Sequence, residues 1–452
     1  MSFEIKKSTQ FKINELAIAT KAGKLDISAV YEELNIFDSL FMPVMSGNIL
    51  IKDSVGLSGK LLFDGSESLL IDIAKDENSD INRFKKAFRI YKQTNRQNDG
   101  QGSETYILSF VSDELLYSDQ QRVTQAYDLT YSKIVERIMV DYLKLPENQL
   151  GGIYDVSSGI RKIVIPNLRP LEAIEWCAKR ATDQENSPNF MFFQNLVGYN
   201  FASLSKLLTQ PEILDIKFEA KNKTDNNPIG EISSARSFEV VTQNDSVKKQ
   251  RSGVNAGKFI GFDPMTRTIA TRTLNYGDHY LNMKHGNENP NFATLKNRDG
   301  LENTQAFDSK KTVSLFGAAR KFSEYIKAKD PSSISKEENF EDVLFQRKAL
   351  IENLNSKKLK ITMPGNFQLT SGFNVNVMAP NFAKKEKGDD NEDKSLSGKY
   401  LIVASRHIIG YDKFETVIEV ATTSSGNDFV PADNPKQTKE ILAYWYGRKR
   451  RR

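Results

Sequence analysis

Cysteine and histidine are scarce in this chain: Cys177 is the one thiol, and His279, His285 and His407 are the three imidazoles. One cysteine excludes a disulfide framework and a thiolate metal site. His279 and His285 lie six residues apart in a Gly/Asn-rich stretch, with Asp278 beside the first. That spacing suits neither a helix face nor a strand face, so no metal site is read there. Long apolar runs are also missing. The N-terminus, Met1-Ser2-Phe3-Glu4-Ile5-Lys6-Lys7, has no apolar leader core, and no stretch approaches a membrane span. A soluble protein assembled in a reducing cytoplasm, without membrane insertion by this chain, is the expectation. Charge of one sign is lacking too. The formal net charge is +5, and Arg448, Lys449, Arg450, Arg451 and Arg452 supply five positive charges. Without them, 58 basic residues face 58 acidic ones. The basic balance therefore reports a tail and not a nucleic-acid-binding body.

Catalytic constellations are equally thin. Cys177 falls on a helical apolar pattern with no histidine close in sequence, and reads as a buried thiol. His407 sits in a strand pattern and reads as a satisfied sheet residue. Gly56-Leu57-Ser58-Gly59-Lys60 lacks the spacing of a phosphate loop and reads as a β-turn. Glu32-Glu33 and Asp389-Asp390 read as solvated surface, and the mixed charges of Lys384–Lys394 as a hairpin tip. No catalytic, metal or cofactor set is assigned.

What the chain does have is strands. Leu25, Ile27, Ala29 and Tyr31 alternate with polar residues across 24–38, and further strands are expected at Asn48–Lys52, Ser68–Ile73, Ala87–Lys92 and Thr105–Val111. Met42-Pro43, Asp64-Gly65 and Asn98-Asp99-Gly100 supply turns between them. The period then changes. Tyr131, Ile134, Val135, Ile138, Met139 and Tyr142 predict a helix capped by Thr130, and a second helix starts at Pro170. Strands follow near Phe190–Phe193 and Gly198–Leu204. Strand character resumes at Ser237–Val241, and a polar excursion with one amphipathic pattern (Ala319, Phe322, Tyr325, Ile326) intervenes before a helix at Leu344–Leu354. The last third alternates again: Leu359, Ile361 and Met363, then Phe373, Val375 and Val377, then Tyr400–Ile409 and Phe414–Val420. These read as antiparallel strands that curl into a small barrel or sandwich.

The order of elements in 359–420 resembles the second barrel of baseplate hub proteins of contractile phage tails. The residues that carry the likeness are Leu359–Met363, Pro364-Gly365-Asn366, Gly372 and Gly398-Lys399-Tyr400-Leu401-Ile402-Val403 leading to His407. The same barrel occurs in late-control hub proteins and in the N-terminal part of the type VI secretion spike. Ile165-Pro166-Asn167-Leu168-Arg169-Pro170, Phe190–Phe193, Gly198–Phe201 and the N-terminal strand block are similar to the T-even-type hub in the expected order.

That resemblance implies an α+β, predominantly antiparallel β chain with two related tube-type β-barrel domains and an inserted α+β domain. The expected division is 1–115 for the first barrel, 116–230 for the insertion, 231–260 with 343–425 for the second barrel, 261–342 for a polar insertion and 426–452 for an extended tail. It implies a homotrimer whose six barrels form a pseudo-sixfold ring between a sixfold tail tube and a threefold central spike. Expected partners are the spike, the tube protein and other baseplate proteins, and the lumen is compatible with tape-measure protein or transiting DNA. The expected location is the virion tail baseplate, after assembly in the host cytoplasm. The alternative is a tail-associated peptidoglycan hydrolase or peptidase. In the tail, Ile441, Leu442, Tyr444, Trp445 and Tyr446 follow a Pro-containing linker and precede Arg448 and Arg450. These are the candidate partner contacts, because aromatic residues carry much interface energy.

Overall fold

The computed structural model describes residues 10–21, 23–60, 63–75, 82–100, 102–146, 152–185, 187–218, 233–243, 245–251, 256–263, 267–275, 284–287, 289–290, 294–296, 303–305, 313–318, 340–379, 393 and 395–425. Seven strands form a first β lobe: β1 (Lys12–Thr20), β2 (Gly23–Asp26), β3 (Tyr31–Ser39), β4 (Ser46–Asp53), β5 (Ser68–Ala74), β6 (Arg83–Asn98) and β7 (Glu104–Val111). Helical turn α1 (Leu57–Lys60) stands where the sequence reads as a β-turn. The span 24–38 is two strands and not one. Ile27 is buried between them, its N–H donating to Leu16 O and its carbonyl accepting from Tyr31 N. All neighbours in this lobe are antiparallel, in the order β2-β1-β5-β6-β7-β4-β3.

The chain then changes period as expected. It makes α2 (Glu114–Asp119), β8 (Ala126–Leu129), α3 (Tyr131–Asp141), β9 (Arg161–Val164), α4 (Pro170–Ala178), β10 (Phe190–Gln194), β11 (Tyr199–Ser203) and α5 (Leu204–Thr209). Thr130 caps α3 by accepting from Lys133 N, and Pro170 opens α4, where a missing N–H costs nothing. Ile134, Ile138, Ile174 and Cys177 share one core with Phe190 and Phe201.

The remaining strands begin with β12 (Glu212–Phe218), β13 (Ser234–Ala235) and β14 (Ser237–Thr242), followed by α6 (Ser246–Arg251). Next come β15 (Ala256–Asp263), β16 (Thr268–Asn275), β17 (Asn289–Pro290), β18 (Thr294–Lys296), β19 (Asn303–Gln305), β20 (Val313–Ala318) and α7 (Phe340–Leu354). The chain continues through β21 (Lys358–Pro364), β22 (Asn374–Met378), β23 (Gly398–Gly410), β24 (Phe414–Ala421) and β25 (Ser424–Ser425). β15, β16 and β20 make a separate three-stranded sheet. β12 lies within the span read as the α+β insertion, yet it pairs with β22 and β13. The helix read from Ala319 to Ile326 lies outside the described residues.

Seven of these strands repeat the first lobe. Their order is β13-β12-β22-β23-β24-β21-β14, and matching β1 to β12, β2 to β13, β3 to β14 and β4–β7 to β21–β24 preserves every pairing and the chain order. In each lobe the second and third strands follow one another directly in the chain, through residues 27–30 or through Arg236. Even an irregularity recurs. β6 skips a residue against β7 between Ile90 and Lys92, and β23 skips one against β24 between Ile402 and Ala404. Two pairings differ in sense: β12 runs parallel to both β13 and β22, whereas β1 runs antiparallel to both β2 and β5.

Apolar alternation fills both interiors. Ile49, Ile51, Leu69, Ile71, Phe88 and Phe110 pack in the first, and Leu359, Ile361, Val375, Val377, Ile418 and Val420 in the second. Gly365 N donates to Phe414 O at 2.9 Å, and a methyl group at Gly365 would overlap the Phe414 ring. Gly365→Ala is expected to cost about 1–3 kcal/mol through overpacking, read as a lower denaturant midpoint at unchanged m-value. An unchanged midpoint would contradict this seating of the ring.

Candidate functional site at the seam between the lobes

The two lobes share one sheet. β23 pairs with β24 along one edge, while its other edge changes partner part-way. Leu401 and the residues before it pair with β22, and Ala404–Gly410 pair antiparallel with Ser39–Glu33 of β3. The switch falls at the bulge, where Val403 O accepts from Leu40 N at 2.9 Å. A bulge bends its strand and re-aims the ladder, which is what a strand serving two lobes requires.

Polar side chains line the inner face of this seam. Asp38 accepts from Ser371 N at 3.1 Å, from Ser405 Oγ at 2.8 Å and from Thr370 Oγ1. Ser405 Oγ also lies 3.2 Å from His407 Nε2, and His407 Nδ1 lies 3.1 Å from Thr416 Oγ1, which accepts from Asn366 N at 3.0 Å. With the Ser405 hydroxyl donating to Asp38, Ser405 Oγ is left as an acceptor toward His407 Nε2. The hairpin of β10 and β11 seals the outside. Gln194 Oε1 accepts from Met45 N and Ser112 Oγ in the first lobe, and Asn195 Nδ2 donates to Ser371 O in the second. Phe367, Phe414 and Ile409 complete the first lobe's core from across the seam.

Aspartate, serine and histidine therefore meet, but in an order unsuited to nucleophilic catalysis. A base-activated serine gives its proton to histidine, which a carboxylate orients. Here the carboxylate holds the serine, and the far side of the imidazole faces a threonine. Asp38 is 4 % exposed and His407 0 % exposed, so no substrate reaches either. The arrangement ties the lobes together. Sequence reading placed His407 in a strand but missed its partners. The available signal was Asp38 at the inward position of the Leu34, Ile36, Asp38 series, and Ser405 and His407 preceding Ile409 on one face.

Burial acts on the two titrating groups in opposite directions. Loss of hydration pushes the Asp38 carboxyl up to about 6 despite its hydrogen bonds, and pushes His407 down to about 3. The Cys177 thiol, buried on α4, is pushed up to about 12, so it stays protonated. His285 Nδ1 lies 3.4 Å from Thr423 Oγ1, and His279 lies outside the described residues. No group of three or more metal-ligating side chains occurs among the described residues. No described helix is long and apolar enough to cross a membrane. Ile441, Leu442, Tyr444, Trp445, Tyr446, Arg448 and Arg450 all lie outside the described residues.

Comparison with known proteins gives the seam a context. No family model matches the chain. A curated relative, the probable baseplate hub protein gp334 of Vibrio phage KVP40, is 20 % identical over 405 residues, covering 88 % of this chain and 89 % of that protein. The chain resembles phage baseplate hub proteins along most of its length. Among solved structures, a tail protein of Neisseria meningitidis MC58 is 12 % identical, covering 90 % of this chain and 96 % of its own, with a TM-score of 0.48. The 43 kDa tail protein of prophage MuSo2 from Shewanella oneidensis is 9 % identical, covering 90 % and 97 %, also with a TM-score of 0.48.

The opposed titrations predict a specific pH response. Asp38, raised from 3.8, contributes stability that is full below about 4 and lost as pH rises through about 6. His407, lowered from 6.5, contributes stability that is full above 6.5 and lost as pH falls toward about 3. Between pH 4 and 6 the two slopes oppose one another in the native protein. His407→Gln removes one of them, so its melting temperature relative to the parent is expected to rise as pH is lowered from 7.5 to 4.5. The gain is at most about 1.4 kcal/mol per pH unit. A difference that stays constant with pH would contradict a neutral, buried His407.

Proposed function

We propose that this chain is a structural hub subunit of a phage baseplate, built from two related tube-type barrels. Three copies would form a ring of six barrels that joins a sixfold tail tube to a threefold central spike. The observation that carries this reading is the repeated seven-strand order, with its recurrent bulge, joined through β3 and β23. A duplicated domain lets one trimer satisfy six positions on one side and three on the other. The similarity to a protein described as a probable baseplate hub supports the same reading. In this scheme the first barrel spans roughly 10–111, the α+β unit decorates the outside, and the second barrel starts with β12 and resumes at β21 after the inserted sheet. The near-neutral body suits a lumen that passes DNA or protein without holding it.

Light scattering tests the assembly. The expected mass is three chains, alone at high concentration or with the spike bound. A monomer under both conditions would overturn the ring, and so would a hexamer, because twelve barrels do not match a sixfold tube. Zymography on peptidoglycan addresses the hydrolase alternative, for which the buried Asp38, Ser405 and His407 give no accessible nucleophile.

The tail beyond Phe429 is assigned to partner docking on its sequence alone. Burying Trp445 with one tyrosine contributes on the order of 3–5 kcal/mol at an interface before ordering costs. Truncation after Phe429 is expected to weaken spike capture while leaving the two-lobed body folded. Unchanged capture and unchanged assembly size would remove the docking role. Loss of DNA retention with capture intact would instead assign Arg448–Arg452 to nucleic acid.

A further inference from the structure

The polar insertion reaches back onto the body at residues 284–287 and β17, where the chain leaves the second lobe. β24 ends with Ala421 opposite Leu401. Ile402 exchanges backbone bonds with Phe373 and Gly372, so Leu401 and Lys399 turn their own groups to the β24 side. If β24 continued in register, Thr423 would stand opposite Lys399. Asn287 takes that place instead. Its Oδ1 accepts from Lys399 N at 3.1 Å and its Nδ2 donates to Lys399 O at 3.0 Å, as a paired peptide group would. The same Nδ2 reaches Thr422 Oγ1 at 3.0 Å and Ser424 O at 3.3 Å, and Asn287 N donates to Ser424 Oγ at 2.9 Å. Just beyond, β17 pairs antiparallel with β25, Asn289 with Ser425 and Pro290 with Ser424.

We propose that 284–287 and β17 form a clasp that ties the polar insertion to the root of the C-terminal tail, so that whatever displaces one displaces the other. Hydrogen bonds hold it more than charge does. Lys284 Nζ lies 2.6 Å from Glu185 Oε1, but both side chains are about half exposed, and such a pair contributes little in water. Asn287 is half-buried and Thr422, Thr423 and Ser424 are buried, so the bonds of the carboxamide run where water competes poorly. A carboxamide suits the place because it sets a donor and an acceptor side by side. Aspartate at 287 would still accept from Lys399 N, but its second oxygen would face the carbonyls of Lys399 and Ser424. The clasp goes beyond the hub reading. It gives the tail a fixed origin, which lowers the ordering cost of any later docking, and it makes the insertion a handle on that origin.

Hydrogen exchange read by mass spectrometry on the full chain tests the clasp from both sides and needs no partner. Asn287→Asp is expected to speed exchange at Lys399 and across 422–425 by about tenfold or more, as loss of a hydrogen-bonded contact does, while β3 and β4 stay unchanged. Thr422→Val keeps the shape of the side chain and removes its oxygen. It is expected to speed exchange at Asn287, because coupling between two segments is reciprocal. Should Asn287→Asp loosen β3 and β4 as well, Thr422→Val alone decides. Acceleration confined to the substituted side overturns the clasp, and so does exchange unchanged from the parent. Either result leaves the ring reading standing, since that is judged by assembly mass.

Discussion

The backbone ladder between β3 and β23 is the constraint on which the rest of this structure depends. A strand edge is an exposed row of donors and acceptors, and leaving it bare invites uncontrolled pairing. Here the edge of one lobe is consumed by the long strand of the other, so the two share a continuous sheet and an aromatic core around Phe367 and Phe414. The bulge at Val403 makes this compatible with β22, because it lets one strand edge serve two partners in succession.

The seam also explains an expensive set of buried groups. A carboxyl and an imidazole taken out of water are costly unless their hydrogen bonds are made. Asp38 has three donors, and His407 is bracketed by two hydroxyls. These bonds are directional, whereas the surrounding Leu, Ile and Phe contacts are tolerant of sliding. A one-residue slip of β3 against β23 would remove Asp38 from Ser405 and turn its charge outward. The polar chain thus fixes the register between lobes.

Much of the fold was legible in the sequence because period and punctuation agreed. Thr130, Pro170 and the alternating strands of 359–420 fall where local chemistry places them. β1 was missed because Leu16, Ala17 and Ile18 are buried in succession, which blurs a period of two. β12 was read into the wrong neighbourhood because pairing with β22, more than 150 residues away, has no local signature. The repeated strand order was legible only as matched strand counts, because pairing order leaves no residue-level repeat in the sequence. The seam was invisible for a related reason. Asp38, Ser405 and His407 are brought together by register, and register is a property of the whole sheet. The candidate contacts of the tail, Trp445 and Arg448 among them, lie outside the described residues.

The central claim is that two related lobes in one chain are equivalent units of a closed ring. End-on electron-microscopy averages of the assembled protein test it most directly. The account predicts six lobes of matching size evenly spaced around an open centre, with threefold order imposed by the α+β units outside. Three unequal pairs of lobes without a shared lumen, or an open head-to-tail chain, would contradict it.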